Sequence, residues 1–354
     1  MKKNILKTVA VGMAACALVA CSNGTSNTAA REETTAAPAA ATTTENTEAA
    51  ASKKVRLNPY DGETEIKIAY IAHDISTPNN QGWLEGIKRE CAAWDNISII
   101  EYNADSSAET QVTQVADAVN QGCQAIILQC SDGTALASAV DDAEAAGVPV
   151  VTMNLDAYTT HSALVMAVDY DAGRMAADEM AKQMGEKGNV VIIEGVAGLT
   201  RTDNLEKGFK DTIANYPDIT VLDAQAANFE KETATTVMNS FLQNYDQIDG
   251  VFAINDAMAE GAALAVESAG KTGSMYIWGA DGEKDALKMI ENGQMAGTIY
   301  TNSWDEGSTA AKIALMLINS EYSYTSLSET PQVVMECKVV TPDTVSEIPE
   351  ADRW

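Results

Sequence analysis

From Glu65 onward the chain alternates short apolar segments with longer amphipathic ones, and this alternation constrains the fold more than any other feature. Ile66–Ala72 is a short apolar run of the strand type. In Gln81–Trp94 the apolar residues instead recur at the spacing of one helix face. Strands that are apolar throughout, separated by such helices, are typical of βαβ units with a parallel sheet covered on both faces. The pattern therefore predicts an α/β fold.

The alternation runs twice along the chain. The first series ends at Val148–Met153, and a second begins with a short extended run at Leu164–Val168 and continues to a strand near Val333–Val340. About 300 residues follow the N-terminal segment, which is enough for two lobes with a hydrophobic core each. We predict two doubly wound parallel-sheet lobes. No short-period repeat that would indicate a solenoid is visible.

The N-terminus has the pattern of a secreted lipoprotein. Lys2, Lys3 and Lys7 precede an apolar run too short to span a bilayer, which ends at Leu18-Val19-Ala20-Cys21. This tetrad resembles the lipobox of bacterial lipoproteins, so residues 1–20 are predicted to be a signal peptide and Cys21 to carry lipid. An ordinary signal peptide with an incidental Cys is the alternative. The segment after Cys21 is poor in large apolar residues, and residues 21–64 are predicted to be a disordered tether.

Charge and motif content exclude several functions. The chain has 23 basic and 51 acidic residues, which argues against a nucleic-acid partner. No phosphate-binding loop, zinc-hydrolase motif, serine-hydrolase elbow or dinucleotide fingerprint is present, so we expect no enzyme, cofactor or metal. The remaining cysteines match no metal spacing and are predicted to be buried small hydrophobes, with one disulfide as the alternative; they are Cys91, Cys123, Cys130 and Cys337.

Polar residues follow the predicted strands of both series. His73 follows the first strand, Asp132 the third and Asn154 the fourth, while Asn255 and Asp281 stand at strand ends in the second series. Ligands of open α/β sheets bind beyond the carboxyl ends of the strands. Carboxylates and amides that face each other there suit a ligand with many hydroxyl groups, because the oxygens accept and the amides donate hydrogen bonds.

Three stretches resemble the type I periplasmic binding proteins, in the pentose and hexose branch. They are Gly122–Asn154, Val251–Val266 with the segment NDAMAEGA, and Trp278–Ile299 with the segment GADG. The resemblance covers about Glu65 to Pro342. It implies two lobes joined by a three-strand hinge, with residues 65–167 and 302–332 in the N-terminal lobe and 168–301 and 333–345 in the C-terminal lobe. It also implies that the lobes close over a sugar.

The resemblance also implies roles for individual residues. In relatives, the positions of Asn255, Asp281 and Asp132 bond sugar hydroxyls, the position of Phe229 stacks on the sugar ring, and Thr301 matches a polar position near the last crossover. The other candidate contacts are Asn154, Asp203, Arg201, Asn80 and His73. Asp203 is alternatively a helix cap, Asp256 a charge at a helix start, and His73 an ordinary hydrogen-bonding residue. His161 is expected at the surface.

Several positions depart from the pattern of the relatives. The loop Ser76–Asn80 lacks the paired Phe residues of that wall, unless Trp83 replaces them. Asn154-Leu155 and Asp203 stand where the ribose binder has arginines, although Arg201 is two residues before Asp203. Because an arginine forks around hydroxyl and carboxylate oxygens in a way that an acid cannot, we predict a ligand other than ribose: a hexose, a polyol, an amino sugar or a modified sugar.

The predicted function is an extracytoplasmic, membrane-anchored and monomeric receptor that delivers a sugar to the permease of an ABC transporter. The alternative is a sensor whose closed form engages a chemoreceptor or sensor kinase. A sugar-responsive repressor is excluded because a secretion signal stands where its DNA-binding headpiece would be.

Overall fold

A computed structural model describes residues 57–320 and 327–354, so the predicted signal peptide, Cys21 and most of the predicted tether lie outside the described residues. The described strands are β1 (Ile66–Ala72), β2 (Ile97–Asn103), β3 (Ala125–Leu128), β4 (Val150–Met153), β5 (Ala163–Ala167), β6 (Lys187–Glu194), β7 (Asp218–Ala226), β8 (Gly250–Ala253), β9 (Tyr276–Asp281), β10 (Gly297–Tyr300), β11 (Gln332–Met335) and β12 (Lys338–Val340). The described helices are α1 (Pro78–Cys91), α2 (Ala108–Asn120), α3 (Gly133–Ala145), α4 (Asp169–Gln183), α5 (Thr200–Ile213), α6 (Lys231–Asn244), α7 (Asp256–Ser268), α8 (Lys284–Glu291) and α9 (Ser303–Ile318).

The strands form two six-stranded sheets. The first sheet has the order β2-β1-β3-β4-β5-β11 and is parallel throughout. The second has the order β7-β6-β8-β9-β10-β12 and is parallel except for β12, which runs antiparallel to β10. The central strands β3, β4 and β8 are buried along their whole length, because helices cover both faces of each sheet. The predicted α/β fold with two parallel-sheet lobes is confirmed.

Each lobe has its own core. In the first lobe Trp83 and Ile87 of α1 pack with α9 on one face of the sheet, and Val115 and Leu136 pack on the other. In the second lobe the rings of Phe209 and Phe252 stack with their centroids 4.2 Å apart. Three of the four described cysteines, Cys91, Cys123 and Cys130, are buried and free, as predicted, and Cys337 is partly buried and free. No helix among the described residues is both long and apolar enough to span a membrane.

Within residues 57–320 and 327–354 the chain passes between the lobes three times, and one predicted boundary is wrong. The passages lie between β5 and α4, between β10 and α9, and between β11 and β12. The predicted division between residues 332 and 333 cuts through β11, which pairs with β5 of the first sheet. The predicted strand Val333–Val340 is two strands in different sheets, because the chain changes lobe at Glu336-Cys337. The second-lobe core also extends past residue 345, since Ile348 is buried in it.

The expectation for His161 is also wrong. Its side chain is fully buried. One ring nitrogen lies 2.8 Å from Thr152 Oγ1 and the other lies 2.9 Å from the carbonyl oxygen of Thr159. The ring thus connects the loop after β4 to the strand itself. The spacing of residues in the sequence does not show that the loop folds back in this way.

Candidate functional site

A cavity of about 230 Å³ lies between the lobes, at the carboxyl ends of the strands of both sheets. The first lobe contributes His73 after β1 and Gln129 after β3. The second lobe contributes Asn255 after β8 and Asp281 at the end of β9. Polar side chains that are far apart in the chain therefore face one another across a single cleft.

Seven of the ten predicted contact residues line this cavity. They are His73, Asn80, Asn154, Arg201, Phe229, Asn255 and Asp281.

Three predicted contact residues lie outside the cavity. Asp132 is exposed and caps α3, with Oδ1 accepting from the backbone N–H groups of Thr134 and Ala135 at 2.9 and 3.0 Å. Thr301 is buried, and its backbone N–H donates to the carbonyl oxygen of Asp281 at 2.8 Å, so it supports the cavity wall from behind. Asp203 is exposed within the first turn of α5, where the N-cap residue is Leu199. Asp203 therefore neither lines the cleft nor caps the helix.

Asn255 is both a helix cap and a cavity residue. Its Oδ1 accepts from the backbone N–H of Met258 at 3.0 Å, which satisfies one free donor at the start of α7. The bond fixes the amide plane, so that the remaining Nδ2 donor has a defined direction for a ligand oxygen.

Asp256 holds the turn that presents Asp281. The Asp256 carboxyl group is fully buried and accepts from the backbone N–H groups of Gly282 and Glu283 at 2.7 and 2.8 Å, and from Thr298 Oγ1 at 2.6 Å. Asp281 itself has a φ of 136°, a conformation that non-glycine residues rarely adopt. The interpretation of Asp256 as a mere charge at a helix start is too weak, because its three bonds maintain this strained backbone.

Arg201 lies between two buried acids. Its Nη1 donates to Asp169 Oδ1 at 2.8 Å, and its Nη2 pairs with Asp281. The side chains of both acids are about 5% exposed or less. The guanidinium therefore orients Asp281 and is committed to protein carboxylates. Asp169, at the first passage between the lobes, was not predicted as a site residue, since a helix-start acid is common.

Carboxyl groups of the second-lobe wall have raised pKa values because burial disfavours their charged form. Burial raises the pKa of Asp281 to about 6, against the opposing effect of Arg201. Burial and the nearby Asp281 raise the pKa of Glu283 to about 9. At neutral pH Glu283 is protonated and Asp281 is ionised, so the wall offers both a donor and an acceptor.

The first-lobe wall includes His73, which has an unpaired ring nitrogen in the described part of the chain, and Asn80, whose amide is hydrogen-bonded to other protein groups. Burial lowers the pKa of His73, so the ring is neutral at neutral pH, and its Nδ1 has no hydrogen-bond partner among the described residues. Asn80, by contrast, accepts from the Tyr70 hydroxyl at 2.9 Å and donates to Thr77 Oγ1 at 2.7 Å. The Asn80 amide is therefore committed to protein partners, and the unpaired His73 nitrogen is itself buried in this conformation.

Phe229 contributes an aromatic face beside this polar surface. Its ring lies so close to Gly195 that a Cβ there would be 2.5 Å from Phe229 Cζ.

Five non-glycine cavity residues have positive φ angles, and such backbone strain accumulates at functional sites. They are Ser106 at 64°, Asn154 at 65°, Asn228 at 55°, Phe229 at 65° and Asp281 at 136°.

Other cavity residues were missed from the sequence. Gln129 lines the cleft, and its Oε1 accepts from the His73 backbone N–H at 2.9 Å. Its position at the end of a predicted strand was an available signal. Glu283 follows the strand-end Asp281 and lines the cavity as well.

A sequence model of the family described as periplasmic binding protein domain matches residues 64–321, well over half of the chain. The chain belongs to this family. The xylitol-binding protein of Mycolicibacterium smegmatis is 34% identical over 72% of this chain and 73% of that protein. The ribose import binding protein of Bacillus subtilis is 34% identical over 65% of this chain and 75% of that protein. The resemblance stated from the sequence is thus confirmed, and these relatives are solute-binding proteins.

Solved structures of the family agree with this fold. A periplasmic solute-binding protein of an ABC transporter from Actinobacillus succinogenes, with bound D-allose, has a TM-score of 0.74 and 28% identity, covering 80% of this chain and all of that chain. The Caulobacter myo-inositol binding protein has a TM-score of 0.73 and 25% identity, covering 80% of this chain and 96% of that chain.

The loop Ser76–Asn80, where the relatives have a pair of Phe residues, gives the cleft no aromatic wall. Trp83 does not line it, because the ring is buried and its Nε1 donates to Glu306 Oε2 at 2.5 Å. The wall at this point is formed instead by Thr77, Pro78 and Asn79. Trp83 therefore does not replace the aromatic pair of the relatives.

Proposed function

We propose that this protein captures a small, uncharged sugar or polyol in the cleft between its lobes and delivers it for import. The observation that carries the proposal is the facing set of polar groups from two lobes, with His73 on one side and Asn255 and Asp281 on the other. Hydroxyl groups both donate and accept, so they suit a cavity that combines amide, imidazole and carboxyl groups. Phe229 adds a face for the C–H groups of a ring.

The charges of the cleft favour a neutral ligand. Arg201 is the one Lys or Arg among the described residues of the cavity, and both Asp169 and Asp281 bind it. A ligand carboxylate would meet Asp281 without a free cation to compensate its desolvation. Xylitol, ribose, D-allose and myo-inositol, named for the relatives and solved structures above, are all neutral molecules rich in hydroxyl groups.

The three chain passages between the lobes form the hinge of the proposed mechanism. Asp169 and Arg201 lie near the first passage, and Glu306 near the second, so the hinge and the cleft share one network of charges. Closure about the hinge excludes water and strengthens each hydrogen bond to the ligand.

Delivery is proposed to occur at the outer face of a membrane. The support is the lipobox-like Leu18-Val19-Ala20-Cys21 and the name of the relatives as import binding proteins. Two acyl chains on Cys21 would anchor the protein stably, and the permease of an ABC transporter would receive the closed form.

The membrane anchor is tested by expression of wild type and Cys21→Ala in a bacterial host. Wild type should partition into detergent and the variant into the aqueous phase, whereas equal partitioning contradicts the anchor.

The proposed ligand class is tested by calorimetry and thermal unfolding with purified protein. Xylitol, ribose, allose and myo-inositol serve as neutral probes, with glucuronate and glucosamine as charged comparisons. A neutral probe should raise the melting temperature without being consumed, since it binds the native state alone. Asn255→Ala should weaken that binding by about tenfold or more. Tighter binding of glucuronate, turnover of a probe, or unchanged affinity in Asn255→Ala overturns the proposal.

A further inference from the structure

A second cavity of about 430 Å³ opens directly beside the cleft. Ser131, Asn154, Leu155 and Leu199 line both cavities, so the two spaces are contiguous. Typical small-molecule sites have about 300–1,000 Å³, and the cleft cavity of about 230 Å³ falls below this range. The cleft thus has room for one small ring, and the adjoining space, here called the outer cavity, has room for another group.

The outer cavity has an exposed aromatic platform. Tyr158 is 66% exposed and lies at the edge of this cavity. Its backbone N–H donates to the carbonyl oxygen of Gly133 at 3.1 Å, and its ring is so close that a Cβ on Gly133 would lie 3.1 Å from ring atoms. A large exposed aromatic ring held against the start of a helix is suited to stacking on the C–H face of a sugar.

Two carboxylates beside Tyr158 have unused oxygens. Asp132 uses Oδ1 for both of its bonds to the start of α3, which leaves Oδ2 for a ligand. Asp156 Oδ1 is buried 3.6 Å from His161 Nε2, but the Asp156 side chain as a whole is 35% exposed, so its other oxygen, Oδ2, is the one that can accept from a ligand. Both residues therefore have acceptor capacity for ligand hydroxyl groups.

The loop that carries Asp156 and Tyr158 is held in place before any ligand arrives. At its start the backbone N–H of Asn154 donates to the carbonyl oxygen of Val165 at 2.8 Å, and at its end His161 is buried. Glu144 Oε1 accepts from the backbone N–H of Ser162 at 2.7 Å. Preorganisation of this kind reduces the entropic cost of ordering the loop on binding.

We propose that the outer cavity is a second sugar subsite, and that the protein binds a disaccharide or glycoside whose first ring occupies the cleft and whose second ring stacks on Tyr158. This inference rests on the proposed function, since the first ring must bind in the cleft. The second ring hydrogen-bonds to Asp132 and Asp156, and the link between the rings passes between Ser131 and Leu199.

The test compares sugars that differ by one ring. Xylose with xylobiose, glucose with cellobiose and maltose, and galactose with melibiose and lactose are titrated by calorimetry into wild type, Tyr158→Ala and Thr200→Trp. Thr200 is exposed at the mouth of the outer cavity, so the larger ring blocks the subsite. The matched control is Tyr276→Ala, because Tyr276 is also exposed but lies at the opposite end of β9 from Asp281.

At least one disaccharide should bind wild type about tenfold more tightly than its monosaccharide. Tyr158→Ala and Thr200→Trp should remove this gain and leave monosaccharide affinity unchanged, while Tyr276→Ala should change neither. Monosaccharide binding with every disaccharide excluded overturns this inference and leaves the proposed function standing. So does a disaccharide preference that persists in both variants. Binding of no sugar and none of the neutral probes overturns both.

Discussion

At the scale of single residues, three buried acids of the second lobe have different structural roles at the cleft. Asp281 faces the cavity, Asp256 holds the turn behind it, and Asp169 shares Arg201 with it. Burial raises the pKa of all three. A cluster of this kind is stable because each carboxyl group is either paired with the guanidinium, hydrogen-bonded to backbone donors or protonated.

Asp256→Ala is predicted to destabilise the protein by about 2–4 kcal/mol, because three buried donors lose their acceptor. Ligand affinity should fall as well, since the Asp281 turn loses its support. Urea unfolding and calorimetry measure the two effects. The matched control is Asp203→Ala, an exposed helix residue, which should change stability by no more than about 0.5 kcal/mol and leave binding intact. Equal behaviour of the two variants would show that Asp256 has no special role.

Stability is predicted to fall as the pH rises. The pKa of Asp256 is about 8 and that of Glu283 about 9 in the folded protein, above the ordinary carboxyl range because of burial. Between about pH 4 and pH 9 the native state therefore binds more protons than the unfolded state does. For each extra proton that the native state binds, the free energy of unfolding therefore falls by up to about 1.4 kcal/mol for every unit by which the pH rises.

Urea unfolding of the unliganded protein at pH 5, 7 and 8.5 measures this dependence. The free energy of unfolding should be greatest at pH 5. Glu283→Gln should reduce the slope, because glutamine does not titrate. Greater stability at pH 8.5 than at pH 5 would contradict the proton count.

At the scale of elements, the start of a helix repeatedly places a site residue. Asn255 caps α7 and Asp132 caps α3, so the residue that begins each helix also stands at the carboxyl end of a strand. The same geometry repeats because every βα turn brings a strand end and a helix start to one edge of the sheet. The pairing of α1 with α9 has a different basis: Gly86 and Gly307 each lie against the backbone of the opposite helix.

Gly86→Ala is predicted to destabilise the first lobe by about 1–3 kcal/mol, because the added methyl group would overlap the carbonyl group of Trp304. Chemical denaturation is the measurement. Glu85→Ala, at the preceding position on α1, removes an exposed ion pair with Arg89 and should cost less than about 1 kcal/mol. A smaller loss in Gly86→Ala than in Glu85→Ala would argue against close packing of the two helices.

At the scale of the whole molecule, the two sheets have separate cores, and three short passages connect them in the part of the chain that the structure describes. Few covalent connections and a cavity between the cores allow rotation of one lobe against the other. We predict that a saturating sugar lowers the radius of gyration in small-angle X-ray scattering. Asn255→Ala should need about tenfold more sugar for the same decrease, and a wild-type radius unchanged by bound sugar would rule out closure.

Much of this arrangement follows from local pattern. Ile66–Ala72 was predicted with the bounds that β1 has, and the strand-end positions of His73, Asn154, Asn255 and Asp281 all lie at the cavity. Asp132 was placed correctly at a strand end, yet it lies outside the cleft because its side chain turns to the start of α3. His161 was misjudged because its partners, Thr152 and Thr159, are not defined until the loop folds back on β4.

The sequence by itself determined the alternation of strands and helices, the two lobes and the edge of each sheet where polar residues gather, because periodicity and turn chemistry are local properties. The tertiary structure decided which polar groups are free for a ligand. The pairing of Arg201 with Asp169 and Asp281, and the division of Gln332–Met335 and Lys338–Val340 between two sheets, depend on contacts between distant segments. Such contacts form through packing of the whole chain, and no short window of sequence specifies them.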